Sequence, residues 1–313
     1  MKVKVFIDGS SGTTGLRIAD RLAERPEIEL LSISAEGRKD VHERAKVINS
    51  ADLAFLCLPD AASKEVMPLL RPDVKVLDTS TAFRTDAAWD YGFPELKGQK
   101  AKIQNSYRVA VPGCYASGFI SIARPLVELG LVPQSYPFSC TGISGYSGGG
   151  KKMIAEYESA DRPAHSKLDA PKSYGLGLAH KHLPEMQKIS GLAHTPMFVP
   201  VVCDYYCGMQ VLVPLDLTVA GTTAEAVAAG LADYYKDAAT VKVHALNEPL
   251  PENGLYSNAM AGTDRMELYL TVNAAGDQMM LVSLFDNLGK GSSGAAVQCM
   301  NLMLGLEETK GLE

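Results

Sequence analysis

The 313-residue chain lacks most of the features that mark specialised classes of protein. No apolar stretch is long enough to span a membrane, and the first apolar run, which ends at Asp8, is too short for a signal peptide. The net charge of −6 disfavours nucleic acids and anionic membrane surfaces as partners. We therefore expect a cytoplasmic protein without a nucleic-acid or membrane partner, in which a local basic pocket for an anionic ligand is still possible.

The six cysteines show no pairing rhythm, so we expect free thiols in a reducing compartment and no disulfide framework. Cys203 and Cys207 lie four residues apart in a β-rich segment. On a strand they would share a face but stand about 13 Å apart, which is too far to share a metal ion. No metal site is predicted from the cysteines.

A glycine-rich turn lies between a predicted strand, residues 2–7, and a predicted helix, residues 16–23. Glycines let the backbone approach a pyrophosphate closely, and the helix N-terminus supplies N–H groups and a favourable dipole. The spacing is G-x-x-G-x-x-G instead of G-x-G-x-x-G, so a plain strand-to-helix turn is the alternative. The predicted cofactor-binding residues of this turn are Gly9, Ser10, Ser11, Gly12, Thr13, Thr14 and Gly15.

The end of the second predicted strand, residues 28–34, bears on the choice between NAD and NADP. An acidic residue at this place binds the ribose 2′-hydroxyl of NAD. Here Ser34 is followed by Arg38 and Lys39, and two adjacent cations suit a 2′-phosphate, so we expect NADP. Glu36 in the same turn weakens that preference, and the alternative is that Arg38 and Lys39 belong to a solvated loop.

Near-continuous apolar segments at residues 53–59 and 74–80 continue the alternation of strands and helices. Such segments are typical of a parallel sheet buried on both faces, whose strand ends carry the ligand. The candidate cleft residues at these ends are Pro59, Asp60, Ser80 and the segment 81–84.

The second half of the chain is β-rich between residues 197 and 284, with a hairpin signal at Ala-Ala-Gly-Asp. We therefore expect an α/β chain: a Rossmann-type parallel-sheet nucleotide-binding domain plus an α+β domain with a mixed sheet. The predicted boundaries are 1–114 together with 287–313 for the first domain, and 115–286 for the substrate, catalytic and oligomerisation domain.

Cys114 lies at a Pro-Gly turn that opens an apolar helical stretch, in the sequence Val111-Pro-Gly-Cys-Tyr-Ala-Ser117. Unpaired N–H groups and the positive end of the helix dipole favour thiolate over thiol, and so favour nucleophilic attack by this residue. The alternative is a buried structural cysteine, which is the commoner fate of a single cysteine.

Two further polar segments follow. The glycine-dense stretch 139–150 precedes Lys151 and Lys152, and such a loop is typical of an anion site or, alternatively, of a mobile connector. The segment His180-Lys-His-Leu-Pro-Glu185 lacks further ligands at a zinc spacing. These residue types are better explained by a histidine that acts as general acid and base and is oriented by Glu185. The alternative is a histidine pair on the surface or in the core without a catalytic role.

Taken in order, these motifs resemble those of the short N-acetyl-gamma-glutamyl-phosphate reductases, which belong to the aspartate-semialdehyde dehydrogenase superfamily. The resemblance covers essentially the whole chain. It is carried by residues 9–15, Pro112-Gly-Cys-Tyr-Ala116, Gly145-Tyr-Ser-Gly148, residues 180–185 and Asn287-Leu-Gly-Lys-Gly291. The chain departs from the family form at Val111, where an asparagine is usual, and at Ser117, where a threonine is usual.

The resemblance implies NADPH-dependent reductive dephosphorylation of N-acetyl-L-glutamyl 5-phosphate to the 5-semialdehyde, a step of arginine biosynthesis, by a cytoplasmic homodimer or homotetramer. It implies that Cys114 forms a thioester and that a histidine, His180 or His182, manages the proton, with Glu185 orienting the imidazole. Alternating positions of an extended segment point to opposite faces, so we expect one histidine to face Cys114, with a slight preference for His182.

The remaining implied roles concern the ends of the ligands. Candidates for the substrate phosphate and carboxylate are Arg84, Arg108, Lys151 and Lys152. Candidates for the nicotinamide end of the cofactor are Pro59 and Asn287, and Ser80, Ser147 and Gly148 are further candidate cofactor-binding residues. The alternatives are an aspartate-semialdehyde dehydrogenase, an aminoadipyl-phosphate reductase or, from a different class, a catalytically silent nucleotide-binding regulator.

Overall fold

The computed structural model of the chain describes residues 2–313. The chain divides into two compact units, Met1–Gly113 with Ser292–Leu312 and Cys114–Gly291 with Glu313. Cys114 and residues 287–291 thus belong to the second unit, whereas the sequence analysis assigns them to the first. The reason is local: the helix that begins at Cys114 packs on the sheet of the second unit.

The first unit alternates strands and helices. Its strands are β1 (Val3–Asp8), β2 (Ile28–Leu31), β3 (Leu53–Leu56), β4 (Lys75–Asp78), β5 (Asp90–Tyr91) and β6 (Arg108–Ala110). Its helices are α1 (Thr13–Ala23), α2 (Val41–Ser50), α3 (Asp60–Val66), α4 (Gln99–Asn105) and α10 (Gly294–Met303), with short 3₁₀ turns at Gly37–Lys39 and Met67–Leu69.

All six strands of this unit form one parallel sheet in the order β2-β1-β3-β4-β6-β5. The apolar segments predict such a sheet because both of its faces are buried. Helices α1, α4 and α10 cover one face around Phe55 and Leu77. Helices α2 and α3 cover the other around Phe6 and Val76.

The second unit is built from both kinds of element. Its strands are β7 (Ser139–Gly145), β8 (Lys172–Ser173), β9 (Met197–Cys203), β10 (Met209–Asp216), β11 (Val241–Val243), β12 (Met266–Val272) and β13 (Gln278–Phe285). Its helices are α5 (Cys114–Glu128), α6 (Gly150–Tyr157), α7 (Leu183–Ser190), α8 (Leu217–Ala220) and α9 (Ala224–Tyr234). Short 3₁₀ turns lie at Tyr146–Gly149, Lys167–Asp169 and Pro251–Asn253, and a π turn at Gly289–Ser293 begins in this unit and ends in the first.

The seven strands form a mixed sheet in the order β11-β12-β13-β10-β7-β9-β8. Helix α5 packs closely on one face, since a Cβ at Gly118 would lie 2.5 Å from Val211 and 2.9 Å from Phe285. The other face carries an apolar cluster that includes Tyr269 and Val282. The predicted fold class, a parallel nucleotide-binding sheet plus a mixed α+β sheet, is confirmed.

Candidate functional site

The carboxyl ends of four parallel strands meet at one edge of the first unit. Strand register places Asp8 beside Leu56, Leu56 beside Asp78, and Asp78 beside Ala110. The loops that follow these residues therefore emerge side by side, which is where ligands bind in open α/β sheets.

The glycine-rich turn is built so that its backbone lies close to its neighbours. Gly9 has φ +85°, and a Cβ there would stand 2.3 Å from the carbonyl oxygen of Cys57. A Cβ at Gly15 would stand 2.4 Å from the carbonyl oxygen of Gly9. Helix α1 begins behind Gly12 without a side-chain cap, so its first N–H groups are available to an anion. A dinucleotide pyrophosphate fits this turn.

A cleft of about 330 Å³ lies beside the turn, within the size range of ligand pockets. Its walls include Gly9, Ser10, Ser11, Ile33 and Arg38. An apolar wall with one guanidinium suits the adenosine end of a dinucleotide.

The two other residues predicted for this end of the cofactor lie next to the cleft. The Ser34 hydroxyl oxygen accepts a hydrogen bond from the N–H of Gly37 at 3.0 Å, and its own proton can still be donated. Lys39 is exposed at the end of the 3₁₀ turn.

A buried ion pair supports the turn from below. Arg44 Nε of helix α2 donates to Asp8 Oδ2 at 2.8 Å, and both side chains are almost fully buried. Burial raises the pKa of Asp8, and the hydrogen bond and charge of Arg44 oppose that rise. Because Asp8 directly precedes Gly9, this pair fixes where the turn begins.

The hydroxyl of Ser80, a predicted cofactor-binding residue, makes two hydrogen bonds within its own loop. It donates to Asp78 Oδ2 at 2.6 Å and accepts from the N–H of Ala82 at 3.1 Å. Both bonds shape the loop after β4, so the hydroxyl orients the protein chain instead of presenting itself to a ligand. Pro59, exposed at the start of α3, lies on the neighbouring strand end.

The two predicted substrate arginines of this unit lie at opposite ends of the sheet. Arg84 is buried at the carboxyl end, where its guanidinium donates to the carbonyl oxygens of Val111 and Thr79, each at 2.9 Å. Arg108 begins β6 and so lies at the amino end, donating to the carbonyl oxygens of Val74, Tyr107 and Arg71. Arg108, a predicted substrate residue, therefore holds the backbone at the edge of the sheet away from the ligand loops.

Cys114 is the first residue of the 15-residue helix α5 and is half-buried. This position gives its sulfur the N–H groups and dipole that favour thiolate. The predicted Asn287–Gly291 motif packs directly against it, since a Cβ at Gly291 would lie 3.0 Å from Cys114 Cβ. Glycine at 291 thus lets the backbone pass beside the candidate nucleophile.

Both predicted histidines lie against Tyr115, the residue after Cys114. The centroid of its ring is 5.8 Å from that of His180 and 6.1 Å from that of His182. The backbone N–H of His182 donates to Nδ1 of His180 at 3.2 Å. Burial, helped by the charge of Lys181, lowers the pKa of His180 to about 4. His180 is thus neutral at pH 7.

Glu185 stands one helical turn after His182, which is the residue before α7. Both side chains are almost fully buried. Residues three apart on a helix share a face, so the carboxyl group and the imidazole lie on the same side of α7.

Tyr174 is a site residue that the sequence analysis misses. Its hydroxyl donates to the hydroxyl of Tyr115 at 3.4 Å. Burial raises the pKa of Tyr174 to about 12, and the nearby charge of Cys114 adds to the rise. Pairing of β8 with β9 brings it there, and no local motif marks such long-range pairing.

The remaining predicted residues of the second unit lie around Ser147. Asn287 is buried, with its Oδ1 accepting from the N–H of Gly208 at 2.8 Å and its Nδ2 donating to Ser147 Oγ at 3.0 Å. A Cβ at Gly148 would lie 3.4 Å from Asn287 Nδ2. Asn287 therefore orients the Ser147–Gly148 turn. The sequence analysis predicts a ligand contact for Asn287 but not this structural role.

Lys151 and Lys152 are exposed in the first turn of α6. Among residues 2–313, no group of three or more histidine, cysteine or acidic side chains could hold a metal ion. Within the same described range, none of the helices is long and apolar enough to cross a membrane.

Family models match both parts of the chain. The semialdehyde dehydrogenase NAD binding domain matches residues 4–104, and the semialdehyde dehydrogenase dimerisation domain matches residues 114–287. The first match confirms the prediction of a nicotinamide cofactor.

Solved structures share the fold at low sequence identity. An aspartate semialdehyde dehydrogenase from Francisella tularensis superposes with a TM-score of 0.71 at 15% identity, covering 96% of this chain and 100% of that one. The corresponding enzyme II from Vibrio cholerae gives 0.69 at 19% identity, with 97% and 99% covered.

Sequence relatives are much closer. An N-acetyl-gamma-glutamyl-phosphate reductase from Trichormus variabilis is 46% identical, with 99% of each chain covered. The protein of the same name from Burkholderia cenocepacia is also 46% identical, with 96% of this chain and 97% of the relative covered. The resemblance drawn from the motifs is confirmed: the chain belongs to the N-acetyl-gamma-glutamyl-phosphate reductase family.

Proposed function

We propose that this chain reduces N-acetyl-L-glutamyl 5-phosphate to the 5-semialdehyde with NADPH, releasing phosphate, as a step of arginine biosynthesis. The observation that carries the proposal is the position of Cys114 at the N-terminus of α5, with two imidazoles against the adjoining Tyr115. The full-length similarity to reductases of this name supports the choice of substrate.

The reaction divides into two displacements at one carbonyl carbon. The Cys114 thiolate attacks the acyl phosphate, its sulfur bonds to the carbonyl carbon, and the carbon–oxygen bond to phosphate breaks. When bound, the nicotinamide supplies the hydride that reduces the resulting thioester. The thiohemiacetal oxygen takes up a proton when the hydride has been added and loses it again when the thiohemiacetal collapses. That collapse breaks the carbon–sulfur bond, forms the aldehyde and returns the thiolate.

The two histidines have different roles: one donates a hydrogen bond and the other transfers the proton. His180 accepts the N–H of His182 at Nδ1, so its neutral ring carries the proton on Nε2 and can donate a hydrogen bond to the carbonyl oxygen. His182 is the general acid and base for the hemiacetal oxygen, and the buried Glu185 on the same helical face orients its imidazole. Tyr174 and Tyr115 complete the wall around the sulfur with their hydroxyls.

The cations take the anionic groups of the two ligands. Arg84 lies at the ligand edge of the parallel sheet, where its fixed guanidinium provides positive charge for the substrate. Lys151 and Lys152 extend from the first turn of α6 toward phosphate or carboxylate. Arg38, which lines the cleft beside the glycine turn, binds the 2′-phosphate of NADPH together with Lys39.

Pro59, Asn287 and the Ser147–Gly148 turn that Asn287 holds would bind the nicotinamide end of the cofactor. The protein assembles as a homodimer or homotetramer through the apolar face of the mixed sheet. Leu212, Tyr269 and Val282 line a hollow of about 220 Å³ on that face, in the region matched by the dimerisation domain. We place the enzyme in the cytoplasm, in line with its free cysteines.

The test is a set of assays on wild type and Cys114→Ser. With N-acetylglutamate semialdehyde and phosphate, wild type should reduce NADP, and Cys114→Ser should not. NADPH binding, measured by fluorescence, should be equal in both. Cys203→Ser, also half-buried, is the matched control and should keep full activity. Faster turnover of aspartate or aminoadipate semialdehyde by wild type would overturn the substrate assignment.

A further inference from the structure

The segment Gly175–Leu178 between β8 and His180, called the tip below, exposes two leucines close together. Leu176 is 69% exposed and Leu178 is 54% exposed. Large apolar side chains in water are unfavourable, and neighbouring ones mark a surface that is covered in another state of the molecule. What covers them is indicated by where the tip is attached.

Both ends of the tip are fixed around Tyr115. On one side, the N–H of Tyr174 donates to the carbonyl oxygen of Pro200 at 3.1 Å, and its hydroxyl donates to that of Tyr115 at 3.4 Å. On the other side, the ring centroid of His180 lies 5.8 Å from Tyr115 and 5.2 Å from Phe198. The leucines therefore lie, in the sequence, between two residues that contact Tyr115, the residue after Cys114.

The backbone of the tip is a self-contained turn. The N–H of Leu178 donates to the carbonyl oxygen of Gly175 at 3.0 Å. Gly175 has φ +60°, and Leu178 has φ +53°, a left-handed conformation that strains a leucine. A Cβ at Gly177 would meet no atom within 4 Å. Such a turn can swing about its fixed ends as a unit, and the strain at Leu178 favours a second position.

The chemistry at Cys114 supplies a reason for closure. A thioester there reacts with hydride to give the aldehyde, but it also reacts with water. Attack by water breaks the carbon–sulfur bond, releases the acyl group as a carboxylate and returns the thiol, so the activated acyl group is lost. Enzymes with water-sensitive intermediates exclude water by closing loops over them.

We propose that the tip is a lid, and that Leu176 and Leu178 cover the acyl group on Cys114 while the thioester exists. The proposal rests on the proposed function, because it needs an acyl-enzyme. It assigns the two leucines to the bound substrate and not to the core of the protein.

The experiment runs the reaction in reverse, from semialdehyde and NADP without phosphate. Oxidation then loads the thioester, and only water can release it. Wild type should give a burst of one NADPH per Cys114 followed by a slow steady rate. In Leu176→Ser/Leu178→Ser, the steady rate without phosphate, relative to that with phosphate, should rise about tenfold, with matching release of N-acetylglutamate.

Two variants show whether apolar cover is responsible. Leu176→Met/Leu178→Met keeps apolar side chains and should restore the wild-type ratio. Val219→Ser removes an equally exposed apolar side chain, 60% exposed on α8, and should leave the ratio unchanged.

Three results would overturn the lid. A wild-type burst with an unchanged ratio in the serine variant would show that the leucines do not protect the thioester. A change of oligomeric state in light scattering, with the ratio unchanged, would show that they cover a neighbouring subunit. A wild type that forms no NADPH from the semialdehyde, with or without phosphate, would remove the proposed function and with it this inference.

Discussion

The backbone N–H of His182 donates to Nδ1 of His180 at 3.2 Å, so one of the two candidate catalytic histidines fixes the tautomer of the other. With Nδ1 accepting, the neutral ring of His180 carries its proton on Nε2. Burial keeps the pKa of this ring at about 4, and neutrality therefore persists through the working range of pH. The Nε2–H of His180 is therefore available as a hydrogen-bond donor.

The first prediction concerns that donor. His180→Gln presents an amide N–H near the position of Nε2, whereas His180→Ala removes the donor. We expect kcat to fall about 100-fold or more in His180→Ala and clearly less in His180→Gln, because preorganised donors stabilise charge on the reacting oxygen. Steady-state kinetics of both variants at pH 7 test this, and equal losses would contradict the donor role.

The same residue predicts a dependence of stability on pH. The pKa of His180 is lower in the folded protein than the usual 6.5, so between these values the unfolded chain binds the proton that the folded chain does not. Its contribution to stability is full above pH 6.5 and declines as pH falls toward 4. Urea unfolding at pH 7 and pH 5 should show a smaller loss for His180→Gln than for wild type.

The second prediction uses the close approach of Gly291 to Cys114. In Gly291→Ala the new Cβ would stand 3.0 Å from Cys114 Cβ and 3.1 Å from both Asp286 O and Phe285 Cε2. We expect a loss of about 1–3 kcal/mol in unfolding free energy and slower alkylation of Cys114 by iodoacetamide. Gly254→Ala, where a Cβ meets no atom within 4 Å, should change neither quantity.

Features that depend on neighbouring residues in the chain are predictable from the sequence. The glycine turn, the capless start of α1 and Cys114 at the head of α5 are of this kind, because each follows from a strand end, a turn and a helix start. Features that depend on distant pairing are not. Tyr174 reaches Tyr115 only because β8 pairs with β9, and nothing near residue 174 in the sequence indicates it.

Residue type alone does not show at which end of the sheet a cation lies. Arg84 and Arg108 look alike in the sequence, and what separates them is the end of the strand at which each lies. Ser80 follows β4 as predicted, but its hydroxyl donates a hydrogen bond to the carboxylate of the buried Asp78. A buried carboxylate needs such a donor, and that need is apparent only once burial is known.

The third prediction concerns the ion pair beneath the glycine turn. Arg44→Met leaves Asp8 buried without its cation, which should cost about 3–5 kcal/mol of unfolding free energy. The pKa of Asp8, already raised by burial, should rise further. Asp8→Asn/Arg44→Met should recover part of the loss, since no uncompensated charge remains. Urea denaturation at pH 7 measures all three proteins.

An exposed pair on the same helix provides the control. Lys46 and Glu43 are 3.1 Å apart, and both are mostly exposed. Lys46→Met should therefore change the unfolding free energy by less than about 1 kcal/mol. A loss in Lys46→Met as large as that in Arg44→Met would show that burial is not the cause.

The fourth prediction concerns His244, whose two ring nitrogens each lie 2.9 Å from a carboxylate, those of Glu248 and Glu267. Burial alone would raise the pKa of Glu267, but hydrogen bonds from Tyr269 and His244 outweigh it and lower the pKa. The hydrogen bond from His244 also lowers the pKa of Glu248. His244→Gln should cost about 1–3 kcal/mol of unfolding free energy at pH 7.

The sign of the pH effect follows from the lowered carboxylate pKa values. Their stabilisation is present above pH 4.5 and is lost as pH falls through the folded values, so His244→Gln should lose less stability than wild type on acidification. Thermal unfolding between pH 7 and pH 3.5 tests this. His42→Gln, an exposed histidine, is the control and should follow the wild-type curve.

The last prediction concerns the choice of cofactor. Arg38 lines the cleft beside the glycine turn, and a hydrogen bond from a guanidinium to a phosphate is worth about 1.5–3 kcal/mol. Arg38→Ala should therefore weaken NADPH binding about 10- to 100-fold and leave NADH binding unchanged, because NADH has no 2′-phosphate. Lys39→Ala should have a smaller effect, since Arg38 lines the cleft and Lys39 is not among its lining residues. Isothermal titration with both cofactors measures these differences directly. A parallel loss of NADPH and NADH affinity would mean that Arg38 holds the cleft wall and not the phosphate, whereas equal wild-type affinity for the two cofactors would remove the discrimination itself.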